Sequence, residues 1–285
     1  MKTTLKLHLC LLALLSLGAF SAAPAGAWIP ALDVVATDKG EVAYDDCRPW
    51  VEKVKPLMCV YGDPESKTTV ALVGDSHALQ WGPPLIRVAQ RRDWRLVTFI
   101  RANCPIAAVP YERYCDQWRR NAFEAIEAER PRHVIVSTSI GSRYRLKVNG
   151  EQLSRRASEP MLVSGMTRTL RRLNRIPSLV RRGTRIKLIR DQVTAPFLPS
   201  LCLERRPLNP ASCRFRPTRL FGPGFDWLGA KRAGILPAID PLKILCGPKW
   251  CYSHRGEVVI YRDTDHVSAT FARTLTGWLG ARLGF

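Results

Sequence analysis

Acidic side chains are scarce: 24 Asp and Glu stand against 44 Lys and Arg in 285 residues, a formal charge of +20. Histidine is scarcer still, with 5 in all, and no C-x-x-C occurs. A structural zinc site takes four Cys or His ligands at close spacing, so none is expected, and no other metal or cofactor is either. No internal repeat, low-complexity tract or linker interrupts the chain. That excludes a solenoid or a string of small modules and leaves one domain. Long apolar runs are missing beyond the start of the chain, and a membrane-spanning helix needs about 20 apolar residues.

The one apolar run, Leu7 to Phe20, follows Lys2 and Lys6 and precedes Ala25-Gly26-Ala27. A basic start, a short apolar core and a small-x-small exit describe a secretory signal peptide over residues 1–27. The mature chain is therefore expected in the periplasm or outside the cell. Cleavage removes Cys10, and the other eight of the 9 cysteines fall as neighbours: Cys47 with Cys59, Cys104 with Cys115, Cys202 with Cys213, Cys246 with Cys251. Eight cysteines allow many connectivities, but an oxidising compartment and tight spacing favour these four disulfides.

Losing the leader's two lysines takes the formal charge from +20 to +18. Such an excess attracts anionic partners. In an exported protein these are an anionic envelope surface or an acidic glycan. Nucleic acid is disfavoured, because aromatics are not interleaved among Arg91-Arg92, Arg119-Arg120, Arg181-Arg182 and Arg205-Arg206 as stacking platforms would be.

Trp28 to Ser66 carries the first cysteine pair and no regular pattern, and reads as an N-terminal extension. Residues 67–285 then alternate strands and helices. Strands are expected at Lys67–Val73, Trp94–Ile100, Arg132–Ser139 and Thr184–Val193, with Gly234–Asp240 as a shorter fifth. Helices are expected up to Arg92, over Gln117–Glu129, and where Leu162, Met166, Leu170 and Leu173 step by 4, 4 and 3. This alternation implies a parallel sheet covered on both sides. Pro196 to Gly234 breaks the pattern, as an excursion stapled by Cys202–Cys213 over the carboxyl ends of the strands.

The first strand stops at Gly74-Asp75-Ser76-His77. Ligands of open parallel sheets sit at that edge. A serine there lies near unpaired helix N–H groups that could stabilise an oxyanion. It serves equally as an ordinary N-cap. A nucleophile also needs a base, and the base an orienting acid. Both occur far downstream in Tyr261-Arg262-Asp263-Thr264-Asp265-His266. Asp263, three residues before His266, can reach one imidazole nitrogen while the other faces a hydroxyl. Asp265 competes for that place.

With V-A-L-V-G-D-S-H at one end and Y-R-D-T-D-H-V-S at the other, the chain resembles the SGNH (GDSL-type) hydrolase superfamily. Within it, it is similar to the SGNH domain associated with bacterial acyltransferase-3 membrane proteins. The shared features are G-D-S-H-A-x-Q-W, then Asn103-Cys104-Pro105, and the cysteine pair before the final D-x-x-H. The resemblance covers Thr68 to the C-terminus. It implies a flavodoxin-like α/β/α sandwich and a Ser-His-Asp triad acting on O-acyl esters, usually acetyl groups of envelope glycans. Ser76 would be nucleophile, His266 general base then acid, and Asp263 the orienter. An acylated cell-envelope polysaccharide and a membrane acyltransferase-3 protein would be its partners.

The chain departs from that pattern at the oxyanion hole. Arg101-Ala102-Asn103-Cys104 lacks the usual glycine, and Ser137-Thr138-Ser139-Ile140-Gly141-Ser142 lacks the usual asparagine. The Ser76 backbone N–H is the clearest donor, with Asn103 and Ser139 as candidates and turn residues as the plainer account of both. Losing one such donor costs about 10²–10³ in rate, so a weakly active or purely glycan-binding module is the alternative to an enzyme. Asp75-Ser76-His77 also matches the first ligand pair of metallophosphoesterases, whose downstream motifs are missing. Transfer and hydrolysis share an acyl-serine and are not separated by sequence.

Overall fold

A computed structural model describes residues 27–47, 53–141, 145–148, 150–217 and 223–284. The expected signal peptide lies outside the described residues, apart from Ala27. A five-stranded sheet runs through the domain. Its strands are β1 (Met58–Gly62), β2 (Thr69–Gly74), β3 (Arg95–Ile100), β4 (His133–Ser137) and β5 (Arg185–Leu188). They lie in the order β1-β3-β2-β4-β5, parallel except for β1.

The central strand β2 is buried along its whole length, as a strand covered on both faces must be. Alternate residues point to opposite sides. Val70 and Leu72 join Leu96, Ile100 and Ile135 in one core, while Ala71 and Val73 join Val97, Phe99, Val134 and Val136 in the other. Helices α2 (Gly82–Arg91), α6 (Ala269–Thr274) and α7 (Thr276–Leu283) close the first core, through Leu85, Phe271 and Leu279. Helices α3 (Arg113–Glu129), α4 (Arg155–Leu173) and α5 (Phe225–Ala233) close the second. The stripe Leu162, Met166, Leu170 and Leu173 is the buried face of α4, as its spacing requires. The architecture is the expected three-layer α/β/α sandwich.

The four expected disulfides are formed, Cys47–Cys59, Cys104–Cys115, Cys202–Cys213 and Cys246–Cys251. Two segments differ from expectation. The extension read as irregular supplies β1, which pairs antiparallel to β3 at the sheet's edge. Met58-Cys59-Val60-Tyr61 is apolar throughout, yet its residues alternate between exposed and half-buried, so the sequence lacks the apolar–polar alternation that marks a half-buried strand. Conversely, Gly234–Asp240 forms no strand: a single parallel bridge joins Ile189 to Ile239. Among the described residues no helix is long and apolar enough to cross a membrane.

Candidate active site

The carboxyl ends of β2, β4 and β5 share one edge, and the segments that follow them meet there. At the end of β2, Gly74 has φ 154°, and a Cβ on it would stand 1.8 Å from the carbonyl oxygen of Ser137 on β4. Only glycine lets the two strands approach this closely. The next residue, Asp75, is fully buried and holds the turn. Its Oδ1 accepts the His77 N–H at 2.8 Å, and its Oδ2 accepts Thr138 Oγ1 at 2.7 Å and the Ser139 N–H at 2.8 Å.

Asp75 is thus the N-cap of α1 (Ser76–Leu79), and Ser76 is its first helical residue. The Ser76 hydroxyl is therefore not the cap. The half-buried hydroxyl instead donates to His266 Nε2 at 2.9 Å. The Nδ1 of His266 donates to Asp263 Oδ2 at 2.9 Å, with Oδ1 at 3.1 Å. Asp263 Oδ1 also accepts the N–H of His266 at 2.7 Å and that of Asp265 at 2.9 Å, which curls the loop around the carboxylate.

Burial would raise the Asp263 carboxyl, but its hydrogen bond to His266, together with the attraction of His266 and Arg262, holds it well below its ordinary value. The guanidinium of Arg262 stands 3.3 Å from Oδ2. Asp265 does reach the same imidazole, with Oδ1 3.2 Å from His266 Nδ1. Two carboxylates therefore face this nitrogen, Asp263 with the shorter contact.

A second layer, missed in the sequence, fixes the loop. Gln80 Nε2 donates to Gln192 Oε1 at 2.6 Å, Gln80 Oε1 accepts the Val267 N–H at 2.8 Å, and Gln192 Nε2 donates to the carbonyl of Asp265. Both glutamines are buried. His77, also buried, packs its ring 4.5 Å from that of His266, centroid to centroid. Its Nδ1 donates to Asp191 Oδ1 at 2.6 Å, while Asp191 Oδ2 accepts the Ile140 N–H at 2.8 Å. Burial would lower His77, yet Asp191, with Asp75 and Asp265, raises it to about 9. Burial pushes Asp226, which accepts the Asp191 N–H at 2.9 Å, up to about 7. Asp191 and Gln192 follow β5 at the ligand edge, a position that could have singled them out. Asp226 comes from the proline-rich excursion, and nothing local marks it.

The oxyanion candidates fare unequally. As the first helical residue, Ser76 has an N–H without an intrahelical acceptor. The N–H of Ser139 is committed to Asp75, and its Oγ accepts the Gly141 N–H at 3.1 Å. Asn103 is exposed, in a left-handed conformation with φ 59°. Among the described residues it makes no hydrogen bond to Ser76, His266 or Asp263. For a metal, His77, Asp265 and His266 alone among the described residues gather potential ligand atoms, all within 4.8 Å. Both nitrogens of His266 are already taken by Ser76 and by the carboxylates, which is acid–base geometry.

Comparison with known proteins agrees with this reading of the fold. The family model described as the SGNH domain fused to AT3 domains matches residues 45–278. No curated protein matches the chain. Among solved structures, the periplasmic domain of a lipopolysaccharide acetyltransferase from Salmonella ser. Paratyphi A aligns at TM-score 0.58 and 14% identity, over 77% of this chain and 85% of that one. At that identity the likeness is one of fold. The family match takes in both β2 with its Ser76 turn and the loop that carries His266, and on it the chain belongs to the SGNH domains that occur fused to AT3 domains.

Proposed function

We propose that the chain is an exported, serine-dependent O-acyl transferase or esterase, acting on acetyl groups of cell-envelope carbohydrate. The observation that carries this is the continuous relay from Ser76 Oγ through His266 to Asp263, at 2.9 Å for each link. Ser76 Oγ attacks the ester carbonyl carbon, and its proton passes to His266 Nε2. Asp263 holds the imidazole by Nδ1 and stabilises the imidazolium. The tetrahedral oxyanion meets the Ser76 N–H at the start of α1. Collapse expels the alcohol, which takes the proton from His266 and leaves acyl-Ser76. Water or a sugar hydroxyl then attacks the acyl carbon, gives its proton to His266, and releases acid or a new ester.

Export is supported by four disulfides, which persist in oxidising compartments. The family's fusion to AT3 domains supports a membrane acyltransferase as the source of acyl groups. A second reading, a weakly active or glycan-binding module that depends on such a partner, is favoured by the Ser139 N–H being committed to Asp75. The test is a burst assay with para-nitrophenyl acetate, followed by intact mass. Acetylated wild type with silent Ser76→Ala and His266→Ala variants supports catalysis. Three identical traces with no adduct would leave the binding reading.

A further inference from the structure

An open cleft of about 420 Å³ lies between α3 and α4, on the face of the sheet opposite α2, α6 and α7. Four arginines line it, Arg119, Arg120, Arg168 and Arg172, with Asp116 as the one lining acid. Asp116 is already engaged: its Oδ1 accepts Arg119 at 2.7 Å. Arg119 is a structural cation, donating also to the carbonyls of Pro105, Ala107 and Val109 at 2.6–2.8 Å. It thereby shapes the loop that forms one wall.

The other three cations are differently placed. Arg168 donates to Ser164 Oγ at 2.8 Å and to the Ala108 carbonyl at 2.5 Å, and Arg172 stacks 5.0 Å over the Phe123 ring. These contacts steady both guanidinium groups and leave further N–H donors for a ligand. Among the described residues, no carboxylate pairs with Arg120, Arg168 or Arg172. Two of them act on Arg119: burial holds it below its ordinary value, Asp116 opposes this, and repulsion from Arg120 and Arg168 adds to the lowering. Like charges gathered in a concave site raise its energy, and an anion lowers it.

We propose that this cleft is a phosphate-binding site, separate from Ser76, which takes the phosphate group of a sugar phosphate or of a phospholipid headgroup. Arginine forks match the oxygens of phosphate two at a time. The cleft volume lies within the range of about 300–1,000 Å³ usual for small-molecule sites. Ala108, half-buried, and Pro110, exposed, line the cleft and provide an apolar edge for the group that carries the phosphate.

The test uses the mature protein at low ionic strength and needs no catalysis, so its failure is distinct from failure of the acyl-transfer reading. Calorimetric titrations with glucose 6-phosphate, inorganic phosphate and glucose are run beside sedimentation with phosphatidylglycerol and phosphatidylcholine vesicles. The proteins compared are wild type, an Arg168→Gln/Arg172→Gln variant and an Arg181→Gln control, with circular dichroism to verify folding. Saturable binding of a phosphate-bearing probe is expected, weakened about tenfold per arginine removed, the worth of one charge-assisted hydrogen bond. Arg181→Gln is expected to bind as wild type does. Glucose 6-phosphate and the anionic vesicles distinguish the two sources. Absence of binding by every phosphate probe, binding of glucose equal to that of its phosphate, or binding unchanged in the double variant would overturn the proposal.

Discussion

The carboxylate of Asp75 accepts the N–H of His77 at 2.8 Å, and by capping α1 it leaves the neighbouring Ser76 hydroxyl to His266. The same carboxylate takes Thr138 and Ser139 from the end of β4. Replacing Asp75 by Ala strands three buried donors at once. The cost of one unsatisfied donor is about 1–3 kcal/mol, so a urea midpoint shift equivalent to at least about 2 kcal/mol is expected. Acylation of Ser76 should fall with it, and Asp75→Asn, which keeps an acceptor, should lose less of both.

Asp263→Asn tests the relay from its far end. The amide cannot stabilise the imidazolium, and it favours the wrong tautomer of His266. A fall of about 10³–10⁴ in the acylation rate is expected, with the fold intact. Asp265 offers a second carboxylate 3.2 Å from the same nitrogen, so residual activity above that range would assign it as the effective orienter.

Acid stability should depend on the same group. The folded-state value of Asp263 is held below its ordinary 3.8, so its contribution to stability is full above that value and is lost as pH falls beneath it. Urea titrations between pH 5 and pH 2 should show wild type losing more stability than Asp263→Asn. Parallel curves would mean that the carboxylate does not sense folding.

His77 predicts the opposite slope at the alkaline side. Its value rises from 6.5 to about 9 on folding, so the stability it contributes is full below 6.5 and is lost as pH climbs through about 9. His77→Gln should flatten the stability curve between those limits. Imidazole resonances followed by NMR should show His77 cationic at pH 7; a neutral ring there would sink the prediction.

Gly74→Ala should fail to fold or should lose the site. Its Cβ would meet the Ser137 carbonyl oxygen at 1.8 Å, a backbone atom held in the β2–β4 ladder. Soluble, acylation-competent Gly74→Ala protein would show that β2 and β4 can part at the ligand edge without disturbing Ser76.

Much of the site was legible because its two halves are local. A buried strand running into Gly74-Asp75-Ser76-His77, and Asp263 three residues before His266, are patterns complete within a few residues. The disulfides were legible for the same reason: each pair closes a short loop, the longest separation being 12 residues. Periodicity marked β2, β3, β4 and the buried stripe of α4, since strands and helices covered on one or both faces repeat their apolar positions in a fixed way.

What crosses the fold was invisible. The extension's β1 carries an apolar run, Met58 to Tyr61, but at the sheet's edge three of its five residues are exposed, and with both faces apolar no alternation announces a strand. Asp191, Asp226 and Gln192 acquire their roles only because the ends of β4 and β5 and the proline-rich excursion converge on His77 and on the Asp265 carbonyl. Ser139 was a candidate oxyanion donor with a turn residue as the plainer account, and only the sheet brings its N–H to Asp75. Residue types and short spacings determined which residues make up the candidate site. Only tertiary packing decided which hydroxyl is left uncapped, which donors are already taken and which cations stand without a counter-ion, because hydrogen bonds and charges are shared among residues far apart in the chain.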